Sequence, residues 1–392
     1  MIIKNLPFTA DEYDRRIALV RGAMDVAGID TLFVTDPSNQ AWLTGYDGWS
    51  FYVHQGVILR GEGDPIWWGR RQDAAGARRT VWMDDDHVRG YDDHFVQSTE
   101  RHPMQELAGI LQDLGAERIG VEMDNYYFSA KAFSVMQSSL PDAQFTDATA
   151  MVNWKRGVKS EPELEYMRNA ARISEKIIDG LLERVEPGVP KNEVVAEIYR
   201  DAVRGVDGAW GDYPAIVPLL PSGSDAAAPH LTWDGRPFET GEATFFEISG
   251  CYRRYHAPFC RSLFLGTPPD FLKRAEAALV EGLEAGLDAA RAGNRACDIA
   301  NALAAPLEAA GIERGERCGY PIGLSYPPDW GERTISLRVN DETVLEPNMT
   351  FHFMPGLWMA DWGLEITESI RITENGAAEC FCDRPRKMFV KP

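Results

Sequence analysis

Residues 241–266 read GEATFFEISGCYRRYHAPFCRSLFLG. Two apolar runs, Ala243–Ile248 and Ser262–Leu265, flank a polar turn at Gly250–Arg254. Phe, Ile and Thr alternate with smaller or polar residues, so the stretch predicts an antiparallel hairpin. Side chains alternate along a strand, which puts Phe245, Glu247 and Ser249 on one face. A carboxylate facing inward from an apolar strand is costly unless it has a partner or a task. Glu247 is therefore the first candidate for chemistry.

Working outward, 392 residues predict two domains more readily than one. An apolar fraction of 44% and eleven tryptophans suit a well-buried globular protein. The longest apolar runs fall short of the roughly 18 residues that a membrane span needs. The opening MIIKNLPFTADEYDRR lacks the charged, apolar and small-residue order of a secretory signal. Six scattered cysteines without a CxxC pair predict thiols in a reducing cytoplasm. A net charge of −20 argues against nucleic acid and against anionic membrane surfaces as partners.

Ahead of the hairpin, residues 11–28 carry Ile17, Val20, Met24 and Ala27 at helical spacing, ended by Gly28. IDTLFVT, GVIL, DPIWWG and RIGVEM predict strands, DPSNQ a turn, and 103–114 and 129–140 helices. Together they predict a small α/β domain over residues 1–155. Its loop AWLTGYDGWSFYVHQG (41–56) is aromatic, with Trp49 and Tyr52 at its centre. A second domain, 156–392, opens with a capping box, Ser160 with Glu163, and Pro162 in the first turn. Helices follow over 192–206, 271–292 and 296–310, and strands over 334–339, 349–358 and 363–373. Asp84–Asp86 reads as a solvated turn.

Three further stretches matter for chemistry. LLPSGSDAAAPHLTW (219–233) is a small-residue loop that lets backbone approach a ligand, and it carries His230. GLEITESIRITENG (363–376) carries Glu365 on the same predicted strand face as Thr367. His352, in LEPNMTFHFMPG (345–356), shares a face with Met354.

The hairpin, VKSEPELEYMRNA (158–170), Gly319-Tyr320-Pro321-Ile322-Gly323 and the last two stretches resemble, in order, the motifs of the pita-bread family. That family includes methionine aminopeptidase, aminopeptidase P, prolidase and creatinase. The resemblance spans nearly all of residues 155–375. It implies a creatinase/prolidase-type first domain, a pita-bread second domain and a homodimer whose 41–56 loop reaches the partner's site. It places the family's metal ligands at Glu247, Pro258, Tyr320, Met354 and Thr367, with Arg261 at the family's Arg position. Proline offers no donor and a thioether is soft, whereas hard divalent ions want several oxygens or imidazoles. The expectation is no metal and no other cofactor.

Such a site needs a substrate that is electrophilic already, as a cationic amidine or guanidine is. The start of the chain, GYDGWSFYVHQGV, PHLTW and FFEISGCYRRYHAPFCR resemble the creatinase-like branch that hydrolyses ectoine, a cyclic amidine bearing a carboxylate. The resemblance implies ring opening of ectoine, with hydroxyectoine as an analogue, to N-acetyl-2,4-diaminobutyrate. Glu247 and His230 are then the catalytic pair, by base-activated water or by direct attack of Glu247. Glu365, Trp49, Tyr52, Tyr326 and His352 line the substrate. A creatinase-like enzyme acting on a guanidino acid, and an inactive binding module, are the competing expectations.

Overall fold

The computed structural model of the chain describes residues 6–314 and 317–392. Met1–Asn5, part of the matched opening stretch, lie outside them. Two compact units emerge, Met1–Arg156 and Gly157–Pro392.

The first unit runs α1 (Ala10–Ala27), β1 (Thr31–Val34), α2 (Pro37–Thr44), β2 (Gly56–Arg60), β3 (Ile66–Arg70), α3 (Arg71–Thr80), β4 (Val88–Tyr91), α4 (Pro103–Asp113), β5 (Arg118–Val121), α5 (Ala130–Ser139), β6 (Gln144–Asp147) and α6 (Met151–Arg156). Its six strands form one sheet in the order β4-β3-β2-β1-β5-β6. Alternation sorts β1 between two cores: Leu32 and Val34 pack with Trp42 and Trp67, and Phe33 with Trp68 and Leu107. Gly28 ends α1 in the left-handed region at φ 68°, and the two N–H groups after the helix return to Asp25 and Met24 carbonyls. DPSNQ is not a free turn. Asp36 caps α2 by accepting from the Ser38 and Asn39 N–H groups, so a helix begins where a loop was expected.

The second unit begins with α7 (Glu161–Arg184) and α8 (Lys191–Arg204), then the hairpin of β7 (Ala243–Tyr252) and β8 (Tyr255–Leu265). Helices α9 (Asp270–Ala289) and α10 (Ala296–Ala309) follow. The chain closes with β9 (Gly319–Pro321), β10 (Thr350–Phe353), β11 (Gly356–Trp358), β12 (Gly363–Glu365), β13 (Glu368–Arg371), β14 (Glu379–Cys380) and β15 (Phe389–Lys391). A four-stranded sheet has the order β14-β13-β10-β9, β11 pairs with β12, and β15 joins the hairpin beside β8. Residues 334–339 do not form a strand. Leu337 exchanges bonds with Cys318 and Gly319, but Asp341 takes the Ser336 N–H and turns the segment away.

Helix α7 holds the hairpin from outside. Its capping-box residue Glu163 accepts the Ser160 N–H at 2.8 Å and, with its other oxygen, the Tyr255 hydroxyl at 2.8 Å. Ser174 accepts the Gly250 N–H at 2.7 Å and donates to Ala257 O at 2.6 Å. Backbone meets backbone at Gly250, where a Cβ would stand 2.1 Å from Ala170 O and 2.7 Å from Ile173 Cβ. Gly250→Ala is expected to destabilise the protein by about 3 kcal/mol through overpacking. Urea denaturation should show a lower midpoint at unchanged slope.

Candidate active site

The hairpin register sets Glu247 opposite Cys260, Phe245 opposite Ser262 and Ser249 opposite Pro258. These pairs share one face, and Phe245 and Cys260 pack there with Ala226 and Trp358. The backbone of Glu247 is fixed on its outer side, exchanging both hydrogen bonds with Leu219 at 3.0 Å. Its carboxylate is buried, and burial pushes its pKa up to about 7.

Glu365 joins it from β12. The side chain is fully buried, and its carboxylate oxygens accept from no N–H or O–H group among the described residues, with only the Cys260 thiol at hand. Burial, and then the nearby Glu247 charge, holds its pKa well above the usual carboxylate range. Its backbone is locked, with Ser262 Oγ donating to Glu365 O at 2.9 Å and accepting from Glu365 N–H at 3.0 Å. Across the β11–β12 pair Glu365 faces Gly356. The Trp358 indole fills the space a Gly356 Cβ would need, with Cζ2 at 2.6 Å. Cross-strand partners share a face, so the indole stands beside Glu365, and its buried N–H also lacks a partner.

A hydrogen-bonded chain lies next to the carboxylates. His352 on β10 faces Tyr320 on β9. His352 Nδ1 is 3.1 Å from Tyr320 Oη and 3.8 Å from Glu247 Oε1, and Nε2 is 2.8 Å from Thr367 Oγ1. The Cys260 N–H donates to Thr367 Oγ1 at 2.9 Å, and the Trp330 indole N–H donates to Tyr320 Oη at 2.8 Å. Burial lowers the His352 pKa to about 3, so its ring is neutral at ordinary pH.

The fold thus gathers Glu247, Glu365 and His352. The other residues expected from the sequence have different surroundings. His230 stands on an exposed turn just after the 3-10 turn Gly223–Ala227. Tyr326 is buried, with the Arg254 guanidinium 4.6 Å above its ring. Trp49 and Tyr52 belong to the first unit, where they are 58% and 70% exposed. Sequence reasoning missed Cys260, Trp330 and His256 as neighbours of the site face. His256 lies two residues from Pro258 on the same strand face, takes the Ala215 N–H on Nε2 at 2.9 Å and leaves Nδ1 buried without a partner. The alternation of β8 was the available signal for His256 and Cys260; no local pattern marks Trp330.

The five positions assigned to metal by resemblance do not fit a divalent ion. Pro258 has no donor, and Thr367 Oγ1 is already bonded to the Cys260 N–H and His352. Burial holds the Tyr320 pKa well above its usual value, so the phenol keeps its proton. Among the described residues no group of three or more His, Cys, Asp or Glu is arranged to hold a metal.

Residues 165–374 match metallopeptidase family M24, and residues 16–158 match the creatinase/prolidase N-terminal domain. The chain is 58% identical to an ectoine hydrolase of Halomonas elongata, over 100% of both chains. It is 39% identical to an uncharacterized hydrolase/peptidase of Sinorhizobium fredii, over 98% of this chain and 99% of that one. Among solved structures, the Xaa-Pro dipeptidase from Bacillus anthracis superposes with a TM-score of 0.81 at 21% identity, covering 97% of this chain and 100% of that chain. The N-terminal domain of a FACT complex subunit from chickpea superposes with a TM-score of 0.74 at 12% identity, covering 96% and 98%. These last two establish the fold. The order of strands around the buried carboxylates and the matches over both units agree, and the chain belongs to metallopeptidase family M24, in the form that carries a creatinase/prolidase N-terminal domain.

Proposed function

We propose that this protein hydrolyses ectoine, opening its cyclic amidine to N-acetyl-2,4-diaminobutyrate without a metal ion. The observation that carries this reading is Glu365, a fully buried carboxylate whose oxygens accept from no N–H or O–H group among the described residues, beside a second buried carboxylate, Glu247. Two such groups repel each other and are poorly solvated. A ligand that brings a positive charge and paired N–H donors relieves both costs, and an amidinium brings both. The identity to a relative named ectoine hydrolase over its whole length supports the same substrate.

In this reading Glu365 holds the amidinium N–H groups. Glu247 removes a proton from the water that attacks the carbon between the ring nitrogens, a task suited to a carboxylate titrating near neutrality. Direct attack by the Glu247 carboxylate is the competing route, and an adduct mass trapped in a single turnover would reveal it. His230, exposed in the single chain, is given no step in this reading. Attack by a base-activated water suits a substrate whose carbon is electron-poor from the start, so the unfit metal positions are no obstacle.

The test is to incubate the protein with ectoine in excess chelator and follow the acetyl methyl signal by proton NMR, with creatine and a Xaa-Pro dipeptide in parallel. A new acetyl signal from ectoine alone supports substrate and metal independence together. Turnover of creatine instead moves the substrate to the guanidino acids. Silence on all three sinks the enzymatic reading and leaves a binding module, a use compatible with the fold seen in the FACT subunit.

The proposal extends to a homodimer in the cytoplasm. Trp49 and Tyr52, both exposed, cover a neighbouring protomer's site in this reading, and all six cysteines are thiols. The double variant Trp49→Ala, Tyr52→Ala is expected to raise KM about tenfold through lost aromatic contact with the cation. Light scattering should give twice the 43.8 kDa chain mass. A monomer with unchanged KM would overturn this part alone.

A further inference from the structure

Tyr320 occupies the position where the family resemblance places a metal-binding histidine, and the tautomer of His352 decides where its proton points. The argument starts at Thr367. Its Oγ1 accepts the Cys260 N–H, and its own hydroxyl proton has one acceptor among the described residues, His352 Nε2 at 2.8 Å. Nε2 carries no proton in the tautomer where Thr367 donates to it, the one that the ¹⁵N spectrum below tests. A neutral imidazole then has its proton on Nδ1, which faces Tyr320 Oη at 3.1 Å. The Trp330 indole N–H, which can only donate, reaches the same oxygen at 2.8 Å. Both acceptor sites of Tyr320 Oη are thus taken. Its own proton has no acceptor among the described residues and is left to face the space shared with Glu247, whose Oε1 lies 3.8 Å from the same ring nitrogen.

We infer that Tyr320 is the acid of the reaction, donating its hydroxyl proton to the ring nitrogen that leaves. The inference rests on the amidine-hydrolase reading above. Adding water to an amidinium is half of the reaction; the tetrahedral intermediate collapses only if the departing nitrogen is protonated. The step balances. Glu247 takes one proton from water as oxygen bonds to carbon, giving a neutral intermediate. Tyr320 protonates one nitrogen as its C–N bond breaks, and the tyrosinate recovers the hydroxyl proton of the intermediate as the amide C=O forms. Glu247 then gives its proton to the released amine, which leaves as an ammonium group. The two donors on Tyr320 Oη stabilise the transient tyrosinate, the role that oxyanion donors play elsewhere. Burial keeps the phenol protonated at rest. A tyrosine thus stands in for what a metal ligand served in related sites, using a rigid chain from Cys260 N–H through Thr367 and His352.

The test pairs one variant with one spectrum. Tyr320→Phe is expected to lower kcat on ectoine about 10²–10³-fold while the Kd for ectoine, by calorimetry, stays within threefold. A kcat within fivefold of the parent would overturn the inference, and so would a Kd that worsens as much as kcat, since that marks a positioning residue. The spectrum is of the parent protein with ¹⁵N-labelled histidine. The His352 signals should show Nδ1 protonated and Nε2 bare from pH 5 to 8, and the opposite tautomer would remove the basis for the proton's direction. If the parent protein leaves ectoine untouched, the function proposed above fails, while the spectrum still decides how Tyr320 is bonded.

Discussion

Glu247→Gln is expected to reduce ectoine turnover about 10³-fold and, above neutral pH, to make the protein more stable. The two effects have one cause. Burial raises the folded-state pKa of Glu247 from 4.5 to about 7. A raised carboxylate pKa means that the folded protein binds the proton more tightly than the unfolded chain. Stability therefore falls as pH rises from the unfolded pKa towards the folded one, and the full cost, about 3 kcal/mol, is present above pH 7. Glutamine keeps the shape and removes the charge. The variant should show a flatter stability profile between pH 4.5 and 7, measured by thermal melts across that range, together with lost turnover. A variant as active as the parent would end the assignment of Glu247, and a steep profile retained would shift the stability effect to Glu365.

Arg261→Met is expected to have the largest effect on folding, a loss of about 3–5 kcal/mol. Arg261 is buried and reaches β7–β8, the β12–β13 junction and the C-terminal segment at once. It donates to Glu368 at 2.6 Å, to Cys260 O and Thr367 O at 2.9 and 2.7 Å, and to Pro385 O and Arg384 O at 2.9 Å. Removing it leaves the buried Glu368, among the described residues, with only the partly exposed Arg386 as an ion-pair partner, at 3.2 Å. A melting temperature lower by roughly 6–20 °C is the expected reading. The double variant Arg261→Met, Glu368→Leu should recover much of the loss, because an apolar pair replaces a charge left alone. A single variant that melts like the parent would show that the pair contributes nothing net.

Local rules carried much of the fold. The α1 periodicity and its glycine stop, the Ser160–Glu163 capping box and the hairpin around Glu247 are each set by neighbours within a few residues, and each appears where the sequence places it. The misplaced elements are decided from farther along. Asp341 turns residues 334–339 away from a strand, and the expected strands 349–358 and 363–373 are each broken in two, at Met354-Pro355 and at Ile366-Thr367. The site divides the same way. Glu247 stood out because a charge in an apolar strand is conspicuous. Trp330 and the hydrogen-bond order through Thr367, His352 and Tyr320 depend on strands distant in sequence meeting, and no spacing announces that. His230 stood out within its own loop, yet the fold leaves it on the surface.

Glu365, folded into the interior, also bears on how long a copy of this protein lasts in a cell. Its buried carboxyl group, beside Glu247, is a standing cost to the folded protein, and under the proposed function a bound amidinium offsets it. Ligand that binds only the folded state adds RT ln(1 + [L]/Kd) to stability, about 2.7 kcal/mol at a hundredfold excess over Kd. Chaperones and proteases act on the unfolded fraction, so that margin alters abundance. A cell filled with substrate would keep the protein for longer, and one that had consumed its supply would clear it sooner, with no dedicated regulator involved.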